Sequence, residues 1–133
     1  MRATAAFDLF VLVIQIATVA GILLFWHSAG RRSFGEPWRP PGFAEHERAF
    51  RVPDTVIASL LVVSALLVWA GRPLGRGLAL VAAGMLLFLG IIDLCYLRRN
   101  GLFSREHDGV THASIVAAVL AVAALLLLRY LPG

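Results

Sequence analysis

Four apolar runs, Phe7–Trp26, Pro53–Ala70, Leu78–Leu97 and Val110–Leu128, divide this chain and leave little choice of fold. Each holds about 18–20 residues, and at ~1.5 Å of rise per residue a helix of that length matches the ~30 Å hydrocarbon thickness of a bilayer. The composition agrees: 59% of the 133 residues are hydrophobic and the mean hydropathy is +0.82, values of a polytopic membrane protein rather than a soluble domain. The expected fold is all-α, one domain over residues 1–133, an antiparallel bundle of four transmembrane helices with a long first loop capping one face.

The first run resembles a secretory leader in following Arg2 and preceding Ser28, Ala29 and Gly30. It is longer than the usual ~7–15-residue leader core, it contains Asp8 and Gln15, and no A-x-A pattern follows, so it reads as a retained helix. The residues between runs supply the turns. Gly71-Arg72-Pro73-Leu74-Gly75 predicts a tight connection that makes the second and third helices an antiparallel hairpin, and Asn100-Gly101 marks another turn. Pro53 suits the first turn of a helix, where its missing N–H costs nothing.

All 12 basic residues are arginine. Arg31, Arg32, Arg39, Arg48 and Arg51 fall in the first loop and Arg98, Arg99 and Arg105 in the third, against Arg2, Arg72, Arg76 and Arg129 on the other side. The positive-inside rule then puts both termini outside and both long loops in the cytoplasm, the expected location being a bacterial cytoplasmic, or inner, membrane. The pI near 10.6 therefore reflects topology and contact with acidic lipid; no basic face interleaved with aromatics exists, and no nucleic-acid partner is expected. The first loop carries Phe34, Trp38, Phe43 and Phe50 among its prolines and glycines. Its aromatics suit the headgroup level, and Phe43–Arg51 predicts a short interfacial helix, a lid over the bundle.

Chemistry enters with Asp93. A carboxylate inside a spanning helix costs roughly 2.5–3.5 kcal/mol at the bilayer centre and less toward an end, so such residues face protein or a watery cavity. Asp93 lies five residues before Arg98, about 7 Å below it along the helix. Its helical neighbours Gly90, Leu86 and Ala82 form a small-residue face suited to bundle packing. With the spans antiparallel, His27, Asp54, Asp93, Tyr96 and His112 all fall toward one membrane face, beneath the loop that carries His46 and Glu47. Asp93 and Asp54 are the expected catalytic pair, since two carboxylates near imidazoles in a poorly hydrated place suit acid–base work. His27, Tyr96, His112, His46 and Glu47 are the expected ligand-binding groups, joined by Gln15 and Asp8 on the polar stripe of the first span. Blander roles stand beside these: Asp54 as a helix cap, Asp93 paired with Arg98 or Arg99, Tyr96 as an interfacial belt residue, and Gln15 as a packing residue.

Exclusions narrow the chemistry. Cys95 is the sole cysteine, which rules out an intrachain disulfide and paired-thiol redox work and leaves a small buried packing residue. No histidine pair has the i, i+4 spacing of a zincin or the paired intramembrane imidazoles of a haem bundle, so no metal and no cofactor is expected. Three function classes remain: acid–base chemistry on, or binding of, a lipid-soluble small molecule; a non-catalytic accessory or ligand-binding subunit; and a proton-coupled small transporter working as an oligomer. The expected partners are the lipid bilayer, a lipid-soluble small molecule and a second copy of the chain, the last through the stripe Ala113, Ala117, Ala121.

Overall fold

The computed structural model describes residues 2–29 and 34–132. They form five α-helices: α1 (Arg2–Ala29), α2 (Phe43–Ala49), α3 (Arg51–Trp69), α4 (Pro73–Arg99) and α5 (Gly109–Tyr130), with a 3₁₀ turn at Arg105–His107 leading into α5. No strand occurs among the described residues. Four helices are long and apolar enough to cross a membrane, each carrying one of the expected spans. Arg31 and Arg32, from the first-loop arginine group, lie outside the described residues.

The bundle is built around α4, which packs against α3 and α5, while α1 closes the ring against α3 and α5. The α3–α4 connection is as tight as its residues predict. Gly71 takes a left-handed φ of 70°, open to glycine at little cost, and Arg72 N–H reaches back to the Leu67 carbonyl at 2.8 Å. Behind this turn a Cβ on Gly75 would meet the Val68 backbone nitrogen at 2.6 Å. The lone hydrogen at that Cα therefore sets how closely α3 and α4 approach. Further along α4, Ala79, Ala82 and Ala83 are fully buried against Ile57, Leu61 and Leu126, an arrangement in which dispersion between close backbones replaces the hydrophobic drive that lipid does not supply. Gly101 likewise makes its turn with φ 66°.

Gln15 is fully buried and serves packing. Its amide donates to Ser64 Oγ at 3.2 Å, Tyr130 Oη donates to its carbonyl at 3.3 Å, and Ser64 Oγ donates on to the Gly75 carbonyl at 2.8 Å. One polar network thus ties α1, α3, α4 and α5 toward the end that bears the α3–α4 turn. Outward, the surface is apolar: Leu23, Leu24, Leu66, Phe88 and Leu128 are exposed. A soluble protein would bury such residues; here they match a hydrocarbon surround.

The short helix expected over Phe43–Arg51 is present as α2, and helix continues to Trp69 with one interruption at Phe50. The break follows from Pro53, which lacks the N–H that would bond to Ala49 and whose ring crowds that carbonyl. One expectation needs correction: Cys95 is exposed rather than buried. Ala113, Ala117 and Ala121 face outward, where a second copy could reach them, and the inward side of α5 is carried by Val116, Ala123 and Leu126.

Gly75→Ala should overpack the α3–α4 hairpin and cost about 1–3 kcal/mol. Gly77→Ala, with nothing within 4 Å of the added methyl, should be neutral or gain up to ~1 kcal/mol from helix propensity. Thermal melting of both variants in detergent checks the contrast; equal midpoints would show that the close approach at Gly75 is not held.

Candidate functional site

The polar residues of the loop-bearing face come together where α2 lies against the ends of the spanning helices. Each helix supplies its part by direction alone: α1 and α4 end here, α3 and α5 begin here. His46 and Glu47 come from α2, Asp54 from the first turn of α3, Asp93 and Tyr96 from the last two turns of α4, and His112 from the start of α5.

Asp93 turns inward, as its Ala82–Leu86–Gly90 face predicts, those three residues being buried. Its partner is His46, whose Nε2 stands 3.8 Å from Asp93 Oδ1, rather than Arg98 or Arg99. The two side chains are 20% and 23% exposed, and the two facing atoms are shielded from solvent with no hydrogen-bond partner. At that separation they are close enough to attract but too far to share a hydrogen bond. Tyr96 lies flat on His46, ring centroids 3.6 Å apart and planes 12° from parallel, which fixes the imidazole in place. Phe50 packs edge-on to the same ring at 5.0 Å.

Glu47 completes the group: one donor atom each from His46, Glu47 and Asp93 lie within 4.8 Å of one another. Two carboxylates at that distance repel by roughly 3–4 kcal/mol at an effective dielectric near 20, so the set favours a positive charge in its midst. The guanidinium of Arg39 acts on Glu47 from a distance but is engaged elsewhere. Arg39 pairs with Glu36, and its cation lies 4.5 Å from the ring centroids of both Trp38 and Phe43. That side chain is 8% exposed and clamps residues 34–39 onto α2. Trp38 in turn stacks on His107 at 5.0 Å, fastening the first loop to the third. Beneath, Phe43, Leu97, Leu102 and Val116 form a buried apolar floor.

Asp54 does not cap α3, and no side-chain cap bond is present at that helix start. Its Oδ2 accepts a 2.9 Å hydrogen bond from Trp26 Nε1 at the end of α1. Sequence reasoning missed Trp26; the available signal was an indole N–H at the same membrane level as an unpaired carboxylate, since buried tryptophan needs an acceptor. His112 Nδ1 sits 2.8 Å from the Leu102 carbonyl. A carbonyl only accepts, so that nitrogen carries the proton and Nε2 keeps its lone pair when the ring is neutral.

The other expected site residues lie elsewhere. Gln15 belongs to the network that ties the four spanning helices, and Asp8 pairs with Arg129 at the opposite end of the bundle. Thr18, a further polar residue of α1 that is not among the expected site residues, returns its hydroxyl to its own helix at the Ile14 carbonyl, 2.8 Å away. His27 is exposed on the last turn of α1, outside the cluster. Two shallow apolar grooves open on the outer surface, one along α3 at Thr55–Val63 and one along α1 ending at Trp69; neither includes a member of the cluster. No family profile, curated protein or solved structure matches the chain, so the site is read from its own geometry.

Trp26→Phe keeps the ring but leaves the half-buried Asp54 without its donor, and should cost roughly 1–3 kcal/mol. The melting midpoint in nanodiscs should fall accordingly; an unchanged midpoint would show that the α1–α3 tie is not maintained.

Proposed function

We propose that the protein binds a lipid-soluble small molecule at the cluster beneath α2 and acts on it by acid–base chemistry of the isomerisation, cyclisation or epoxide-opening kind. One observation carries the reading: Asp93 Oδ1 and His46 Nε2 face each other across 3.8 Å, both buried and both without a hydrogen bond. A ligand hydroxyl could donate to Asp93 Oδ1 and accept from a protonated His46 Nε2 at about 2.8 Å, replacing a poor contact by two good ones. Asp93 is then the proton-transferring carboxylate and Asp54, oriented by Trp26, the second. His46, Glu47, Tyr96 and His112 line the place where the ligand binds, while His27, Gln15 and Asp8 stand apart from it.

A site at one membrane level suits a molecule that arrives through the bilayer. Gln15, Thr18 and Asp8 each have a partner within the bundle, which favours a local pocket over a proton relay through the membrane. The accessory-subunit reading uses the same groups for binding alone. The proposed setting is a bacterial cytoplasmic membrane with both termini outside, supported by eight loop arginines against four. Self-association through the outward Ala113–Ala117–Ala121 stripe is compatible with it.

Extraction in native lipid followed by mass spectrometry should find a hydrophobic molecule retained by the wild type. In Asp93→Asn, with helical content and elution volume preserved, that molecule should be lost or recovered chemically unprocessed; equal retention and processing by both proteins would overturn the reading. Reporter fusions at the C-terminus should report an external location, and a cytoplasmic signal would reverse the proposed orientation.

A further inference from the structure

We infer that His46, Glu47 and Asp93 form a binding site for a single divalent transition-metal cation of the zinc class, held at the seam between α2 and α4. The donors are of the right kind and in the right place. One imidazole nitrogen and two carboxylate oxygens, from residues up to 47 positions apart in the chain, lie within 4.8 Å of one another. Around an ion with bonds of about 2.0–2.2 Å, donor atoms stand roughly 3–4 Å apart, so the 3.8 Å between His46 Nε2 and Asp93 Oδ1 already fits and the widest pair needs to close by about 1 Å.

Two further features point the same way. His46 Nε2 and Asp93 Oδ1 are buried and bonded to nothing, an arrangement native proteins avoid unless something sits between the atoms. The charge also balances: a neutral imidazole and two carboxylates carry two negative charges, which a divalent cation cancels, as a poorly hydrated site demands. Arg39 offsets that charge only in part: it acts on Glu47 from a distance, while its guanidinium pairs with Glu36 and lies among the rings of Phe34, Trp38 and Phe43. A nitrogen donor and a small donor number argue against calcium and magnesium, which take six or more oxygens or keep several waters. The spacing rules that exclude a zincin concern donors on one helix; these donors come from two, so those rules do not reach them.

Three protein donors leave an open position on such an ion, as catalytic rather than structural zinc sites do. The inference uses residues of the proposed site but does not depend on turnover: with an ion bound, Asp93 is a ligand rather than a proton carrier, and Asp54, held by Trp26 outside the triad, is the carboxylate left for proton transfer.

The test uses the full chain, without a polyhistidine tag, in nanodiscs, stripped with chelator and titrated with Zn²⁺, with bound metal read by elemental mass spectrometry. The wild type should saturate at a single ion per chain. Asp93→Asn and His46→Gln should each weaken binding by at least ~10-fold, while His27→Ala binds as the wild type does. X-ray absorption of the wild-type zinc complex should show one imidazole with oxygen donors and no sulfur. Absent saturable binding, unchanged affinity in the two triad variants, or a first shell holding Cys95 sulfur or several imidazoles would each overturn the inference. Should the triad variants fail to fold, the wild-type absorption spectrum decides alone. Metal bound without any processed lipid-soluble molecule would sink the acid–base reading and leave this one standing; processing by the metal-free protein together with absent binding would do the reverse.

Discussion

Hydrocarbon cannot solvate a carboxylate, and the arrangement of this bundle around Asp93 follows from that constraint. A spanning helix that carries such a group must turn it toward protein, and α4 does so by placing Asp93 on the same face as Ala82, Leu86 and Gly90, where neighbouring helices come closest. Enclosure from the side is not enough, because Asp93 sits near the end of its helix. The missing wall is α2, which precedes α3 across the single interruption at Phe50, and it brings His46 and Glu47 to the open end. Arg39, Trp38 and the stacked His107 then hold α2 down.

The two ends of the bundle answer the same problem differently. At the end bearing the α3–α4 turn, the polar groups described have partners: Asp8 with Arg129, Arg76 Nε with the Tyr130 carbonyl at 2.7 Å, Tyr130 Oη with Gln15, and Ser64 with Gly75. That end is finished, and its polar groups serve packing. At the other end His46 Nε2, Asp93 Oδ1 and His107 Nδ1 are shielded from solvent and unbonded. Buried polar atoms are satisfied in all but a few places in native proteins, and the exceptions gather where something else is to bind. The asymmetry locates the site more firmly than the count of polar residues, which is high at both ends.

Most of the fold was legible from the chain because bilayer thickness fixes helix length: four apolar runs give four helices, and Gly71 and Asn100-Gly101 give two of the turns. The face of Asp93 was legible for a related reason, since 3.6-residue periodicity places Gly90 and Leu86 on its side of α4. Less legible was everything that depends on how α2 meets α4. Helix periodicity fixes which side of α2 carries His46, but not which turn of α4 it lands on, and that register is set by Phe43 packing against Leu97, Leu102 and Val116. The role of Asp54 was ambiguous because a first-turn carboxylate can cap its own helix or accept from a neighbour; the indole of Trp26, 28 residues earlier, decides it. Cys95 misled because small size suggests burial in a soluble core, whereas in a bundle this slender one side of each helix faces lipid.

The division of the site between a fixed wall and a jointed one has a consequence for how it works. Asp93 and Tyr96 belong to α4, which is packed on two sides along most of its length, whereas His46 and Glu47 belong to a seven-residue helix joined to α3 through a single interrupted turn. Anything that bonds to both walls stabilises their association, by linkage, with the logarithm of its concentration once that exceeds its dissociation constant. An oxygen-bearing ligand or a cation between Asp93 and His46 would therefore do two things at once: satisfy the atoms that the bundle leaves unbonded, and hold the cover over the place where they are. The aromatic contacts of Arg39 and Trp38 keep the cover near its seat in the meantime, so that little ordering is left for the ligand to pay for.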